Sequence, residues 1–201
     1  EDSRISGVVG YGEQAYRHVD AITAVRAIKE VRCWGRDPAK ANAFARTISS
    51  RHSFRAFAAS TVAEAVSGAD IVCTTTGAKT PILFGEQLEP GMHLNVVGSS
   101  TSDYREIDTA AVVRSSIWVD YRPMTEVSAG EYLYALAEGA VGPDHIVGEI
   151  GAALNGSVRK RSDPLEITMF KSLGMPAEDL YPAHQIYKVA LEKGLGKRVG
   201  F

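Results

Sequence analysis

The 201-residue sequence is poor in cysteine: it has two, Cys33 and Cys73, each inside an apolar run. A disulfide-stapled secreted domain needs more of them at telling spacings. Both therefore read as buried thiols of a reducing compartment. No apolar run approaches the ~18 residues of a membrane span, and no stretch has signal-peptide form. These absences lead to the expectation of a cytoplasmic chain with no membrane partner. A long block of one charge is also missing, since 22 basic and 24 acidic residues give a net charge of -2. The short basic cluster Arg159-Lys160-Arg161 lies between Gly156 and Pro164 and suits a solvated turn better than a nucleic-acid patch. No nucleic-acid partner is expected. His52, His145 and His184 lack metal-ligand spacing, so no metal is expected either. Internal repeats and low-complexity tracts are absent.

What remains is ordinary globular composition, 45% hydrophobic and 23% charged. A chain of this size buries roughly 70% of its unfolded surface, enough for a real core. Its first two-thirds alternate strand and helix. Apolar runs at Ile5–Gly10, Val31–Trp34, Arg55–Ala58, Asp70–Thr75, His93–Val97 and Ile117–Tyr121 read as strands. Helical stripes fill Glu13–Lys29, Pro38–Ser50 and Thr61–Val66, the last capped by Ser60 or Thr61. After Pro123 the pattern changes. Ser128–Glu138 and Gly148–Leu154 read as helices, Ile167–Phe170 as a strand, and about Ala177 to Lys193 as a final helix. Strands separated by helices imply right-handed crossovers and a parallel sheet covered on both faces. The expected fold is α/β, a Rossmann-type doubly wound sheet.

The strongest local signal is Gly7-Val8-Val9-Gly10-Tyr11-Gly12-Glu13-Gln14-Ala15. Gly10, Gly12 and Ala15 spell G-x-G-x-x-A directly after a strand and opening a helix, the context a dinucleotide fingerprint demands. Gly10 permits the tight turn, Gly12 admits a pyrophosphate, and Ala15 keeps the helix close to the sheet. The free N–H groups of the helix start, in the turn of Glu13 and Gln14, then face phosphate. The second strand ends at Trp34-Gly35-Arg36-Asp37. NAD enzymes usually place an acid here to bond the ribose 2′-hydroxyl. Gly35 takes the acid's position, Arg36 can pair with a 2′-phosphate and stack on adenine, and Asp37 serves NAD or caps the next helix. NADP(H) is favoured and NAD(H) stays open. Ligands of parallel sheets bind outside the carboxyl ends of strands. Thr74, Thr75 and Thr76 after one strand, and Val97, Gly98 and Ser99 after the next, are therefore assigned to the nicotinamide half.

The chain resembles the ornithine cyclodeaminase and mu-crystallin family. The resemblance rests on Gly10–Ala15 with His18, Ala69-Asp70-Ile71-Val72-Cys73-Thr74, Gly91–Asn95, Arg105-Glu106-Ile107-Asp108, Gly130-Glu131, Gly148-Glu149 and Ile167–Gly174. It implies NAD(P)(H) chemistry on a small imino or amino acid, a homodimer, and a Rossmann domain inserted into a substrate domain. On that reading residues 1–165 are the Rossmann domain and 166–201 the C-terminal part of the substrate and dimerisation domain. The resemblance also puts Lys171 and Ser172 near the nicotinamide. His18 reads as a helix residue near the phosphates, and His93 as a satisfied core histidine. Glu131 and Glu149 read as helix-start acids facing the dipole.

Two departures from the family pattern matter. The chain starts at Glu1, shortly before the first strand, and the expectation is that these residues are the remainder of a longer protein. The family's N-terminal segment, which holds the substrate carboxylate and much of the dimer interface, is not among them. Leu180, Tyr187 and Leu191 of the last helix are then expected to be exposed. Second, cyclodeaminases carry a catalytic Asp just after the fifth strand, and alignment puts Ser100 there. A serine cannot readily replace that base, which lowers cyclodeamination and raises imine reduction, with Ser100 as the catalytic candidate. Ketimine reduction or amino-acid dehydrogenation leads. An ornithine cyclodeaminase that recycles NAD internally and a non-enzymatic NADP(H)-binding crystallin-like protein are the alternatives.

Overall fold

The computed structural model describes residues 2–199. Short apolar strands that each feed a helix can pair only in parallel, because the helix returns the chain to the starting edge. Eight strands do so: β1 Ile5–Val9, β2 Glu30–Trp34, β3 Arg55–Ala58, β4 Ile71–Thr74, β5 His93–Val96, β6 Ser116–Val119, β7 Ile146–Glu149 and β8 Thr168–Lys171. Every pairing is parallel, in the order β3-β2-β1-β4-β5-β8-β6-β7. The doubly wound sheet expected from the sequence is the fold. The chain leaves β1 toward β2 and later returns to β4 on β1's other side. That reversal opens a crevice at the carboxyl ends of β1 and β4.

The helices are α1 Glu13–Val25, α2 Pro38–Arg51, α3 Val62–Val66, α4 Thr109–Arg114, α5 Arg122–Ser128, α6 Gly130–Ala137, α7 Ile150–Leu154 and α8 Pro176–Lys193. Two cores cover the two faces of the sheet. Val8, Val31 and Cys33 pack with Ala15 and Val19 of α1 and Phe44 and Ile48 of α2. Val9, Val72, Leu94 and Met169 pack with Ala65 of α3, Val112 of α4 and Tyr132 of α6. Both cysteines are buried and free, and burial pushes both thiols up to about 12.

The structure differs from the expected elements in four places. α1 stops at Val25 rather than Lys29, where the Arg26 N–H bonds the Ile22 carbonyl, and Ile28 reaches the core from extended chain. Gly148–Leu154 is not one helix. The β-branched pair Ile146-Val147 adds β7 to the sheet edge, and α7 starts only at Ile150. α5 begins just where the alternating pattern ends, because Pro123 suits a first helical turn as well as it breaks a strand. Finally, β8 lies between β5 and β6. The sheet thus takes strands from both sides of the 165/166 division, and the chain leaves it only after Lys171. Met169, 1% exposed, finds cover on both sides only in the sheet interior.

α8 is the exception to this burial. None of its residues is buried, and Leu180, Tyr187 and Leu191 are exposed as expected. No described helix is long and apolar enough to cross a membrane.

Candidate dinucleotide site

Two adjoining clefts open at the carboxyl ends of β1, β4 and β5. The first, about 640 Å³, is lined by Gly10, Gly12, Gly35, Arg36, Thr75 and Thr76, together with Tyr11 and Lys79. The second, about 590 Å³, shares Thr75 and Thr76 and adds Gln14, His18, Val97, Gly98 and Ser172. Most residues assigned from the glycine turn and the strand ends therefore meet around one crevice.

The turn itself is tightly determined. Gly10 sits at φ +125°, and a Cβ there would stand 2.5 Å from Thr75 Oγ1, so no other residue fits. Its N–H bonds the Trp34 carbonyl at 2.8 Å, tying β1's exit to β2. Gly12 differs: a Cβ there would meet nothing of the protein. It stands at the N-cap of α1 without a side-chain cap, so the free N–H groups of the first turn face the cleft. The charged residues lining the first cleft are Arg36 and Lys79, both cations. A bare glycine edge, a helix N-terminus and cationic side chains fit an anionic pyrophosphate. The residues present thus suit a nicotinamide dinucleotide, with Gly12 and α1 at the pyrophosphate and Arg36 at the adenosine end.

Several assigned residues lie elsewhere. Asp37 lines neither cleft, because its Oδ1 caps α2 by accepting the N–H groups of Ala39 at 2.9 Å and Lys40 at 3.2 Å. Glu13 is exposed and pairs with Arg17 one turn on, at 2.7 Å. Ala15 is fully buried and acts through packing alone. Thr74 and Ser99 are buried beneath the crevice, with hydroxyls donating to Glu106 at 2.8 Å and to the Tyr104 carbonyl at 2.6 Å. Ser100 follows, exposed and lining neither cleft.

Lys171 is the clearest correction. It is neither a surface charge nor a cleft residue but 2% exposed, with Nζ 3.3 Å from Glu131 Oε2 and a hydrogen bond to the Ser99 carbonyl. β8 runs in the sheet interior, so an alternate side chain from it must enter the core, and an ammonium there needs a carboxylate partner. Glu131 accordingly does more than face the α6 dipole: its Oε1 also accepts the Glu106 N–H at 3.1 Å. Glu149 accepts the Arg122 N–H at 2.9 Å and so caps α5 rather than its own helix.

Glu106 lies in a segment that carries the family resemblance, but the sequence assigns it no role. It is fully buried and takes four donors. Oε1 accepts the Thr76 N–H at 2.6 Å and the Thr76 hydroxyl at 2.7 Å. Oε2 accepts the Thr74 hydroxyl at 2.8 Å and the Gly98 N–H at 2.7 Å. One carboxyl thus ties the loop after β4 to the loop after β5. Burial pushes that carboxyl above its ordinary range, against the pull of the donors from Thr76, Thr74 and Gly98. Asp120 plays a similar part at the end of β6: its Oδ2 accepts the N–H groups of Leu173 and Gly174, both at 2.6 Å, and fixes the turn into α8. Among the histidines, His18 Nδ1 lies 2.8 Å from the Gln14 carbonyl on the cleft wall. His93 bonds Thr168 Oγ1 at 2.8 Å, and burial, with Arg161 beside it, lowers it to about 4. It is the satisfied neutral histidine expected.

Comparison with known proteins agrees with this geometry. The chain is 34% identical over 195 residues to a Delta(1)-pyrroline-2-carboxylate reductase of Bacillus cereus, covering 96% of this chain and 60% of that protein. It is 38% identical over 180 residues to the ketimine reductase mu-crystallin of Mus musculus, covering 90% of this chain and 53% of that one. The structure of the Thermococcus litoralis Delta(1)-pyrroline-2-carboxylate reductase, in complex with NADH and L-proline, superposes with a TM-score of 0.96 at 32% identity, covering 98% of this chain and 61% of that one. The chain therefore spans between half and two-thirds of the length of these relatives. The profile of the ornithine cyclodeaminase/mu-crystallin family matches residues 1–194, and with the glycine turn, the switch-point crevice and the sheet order all in agreement, the chain belongs to that family.

Proposed function

We propose that this chain is the dinucleotide-binding part of an NAD(P)-dependent oxidoreductase that reduces a small cyclic imino acid, with NADP(H) as the preferred cofactor. The observation that carries the reading is the crevice at the β1/β4 switch point, where Gly12 faces open space and Arg36 and Lys79 are the lining charges. Bound there, a nicotinamide would supply the hydride. The chain's own residues do the rest. The first turn of α1 holds the pyrophosphate through backbone N–H groups, and Arg36 pairs with the 2′-phosphate. The Glu106 clip fixes Thr76 and Gly98 so that the nicotinamide half meets a rigid wall. Ser100, exposed next to the buried Ser99, offers a hydroxyl to the substrate nitrogen or to a proton-relaying water. It lacks the carboxylate that ornithine cyclisation would use as a base.

Residues after Lys171, above all α8, belong on this reading to a substrate and dimerisation unit, which accounts for Leu180, Ile186 and Tyr187 being more than half exposed. The protein acts in the cytoplasm as a homodimer. The test is NADPH oxidation monitored with Δ1-pyrroline-2-carboxylate, beside ammonia release from ornithine. Net, substrate-dependent oxidation supports the reductase. Ammonia release without net cofactor turnover identifies a cyclodeaminase, and tight NADPH binding without either reaction identifies a binding protein.

A further inference from the structure

Tyr11 is the variable residue of the G-x-G turn, and motif spacing assigns it no task. In the structure its ring lies over Gly35 at the end of β2. A Cβ at Gly35 would stand 2.2 Å from both Cδ1 and Cε1 of Tyr11, closer than any real contact. Gly35 is buried for this reason, although it lies at the mouth of an open cleft. The backbone of Gly35 is not in the left-handed region, so the ring and not the main chain is what demands glycine. Position 35 is also where a carboxylate would reach the ribose 2′-hydroxyl of NAD. Tyr11 stands where that side chain would begin.

We propose that Tyr11 is a specificity-determining residue: by filling the space over Gly35 it bars a ribose-binding carboxylate and leaves Arg36 to select a 2′-phosphorylated adenosine. The inference rests on the reading of the first cleft as a dinucleotide site. It couples two residues that a motif treats separately. Glycine at 35 follows from tyrosine at 11, and an acid can return to position 35 only once the ring is gone. An acid introduced beside the ring would force it into the adenosine space, so both kinds of nucleotide would suffer.

The experiment uses AMP and adenosine 2′,5′-bisphosphate, which probe the adenosine half alone. Calorimetric titrations compare the parent, Tyr11→Ala, Gly35→Asp and the double variant. The parent is expected to prefer the bisphosphate by about tenfold or more, one charge-assisted contact. Gly35→Asp alone is expected to weaken both ligands by about tenfold or more, while the double variant regains AMP to within about threefold of the parent and loses the bisphosphate preference. Gly35→Asp reversing the preference equally well with and without Tyr11 would overturn the inference and leave the cleft's reading intact. Binding of neither probe by a folded parent would overturn that reading, and the inference with it. Gly35→Ala carries the same steric test should the Asp variant not fold. Its melting temperature should drop by about 2–10 °C in the parent, and by far less in the Tyr11→Ala background. Equal drops in both backgrounds would overturn the coupling.

Discussion

Glu106→Leu removes the acceptor that four donors share while nearly preserving side-chain volume. The hydroxyls of Thr74 and Thr76 can rotate to other partners, and the Gly98 N–H keeps a second acceptor in the Thr74 carbonyl at 3.2 Å. The Thr76 N–H, now 2.6 Å from Oε1, is left with none. An orphaned donor at this part-buried position costs about 1–3 kcal/mol, and the three partly replaced bonds together add about 2 kcal/mol, so the total is about 3–5 kcal/mol. For a domain of this size that is a fall in melting temperature of about 6–20 °C. Because the freed segments are the walls of both clefts, NADPH affinity should fall by about tenfold or more in the variant that remains folded at low temperature. Glu106→Gln returns one carbonyl oxygen and should lie between parent and Leu variant in both readouts. Differential scanning calorimetry and a fluorescence titration decide it. A melting point within about 2 °C of the parent and unchanged affinity would refute the clip.

The buried pair gives a second prediction. Lys171→Met leaves the Glu131 carboxylate unpaired and should cost about 3–5 kcal/mol in urea unfolding, with Lys171→Met/Glu131→Gln recovering at least half of the loss. Gly10→Ala puts a side chain at φ +125° against Thr75; the expected result is a loss of at least about 2 kcal/mol in the same assay and no detectable nucleotide binding. His93 supplies a pH signature. Its folded value of about 4 lies below its ordinary 6.5, so the unfolded ring protonates first as pH falls. Stability present above 6.5 is therefore lost as pH drops toward 4. Melts of His93→Gln across that window should lack this part of the slope, and identical slopes would contradict the assignment.

The local signals were legible where chain neighbours do the work. The glycine turn and the strand-helix alternation, and with them the parallel doubly wound sheet, follow from residues close in sequence. Strand β7 and the place of β8 do not. Thr168–Lys171 reads as a strand in the sequence, but nothing near it says that it inserts between β5 and β6. The same limit explains the site. Glu106 meets Thr74, Thr76 and Gly98 across a loop whose spacing matches no motif, and Lys171 meets Glu131 across strand β7 and helix α7. Asp37 shows the opposite case: two local roles competed, and the helix cap beside Pro38 won because the donors of Ala39 and Lys40 are within reach of a short side chain. Tyr11 was hidden because a motif written G-x-G declares its middle residue free.

The most direct test of the account is titration of NADPH and NADH into this chain and into its Arg36→Ala variant, followed by nicotinamide fluorescence. NADPH is expected to bind more tightly than NADH by about tenfold or more, and Arg36→Ala to remove most of that difference while sparing NADH. Failure of both nucleotides to bind a folded chain, or a preference that Arg36→Ala leaves untouched, would contradict the account.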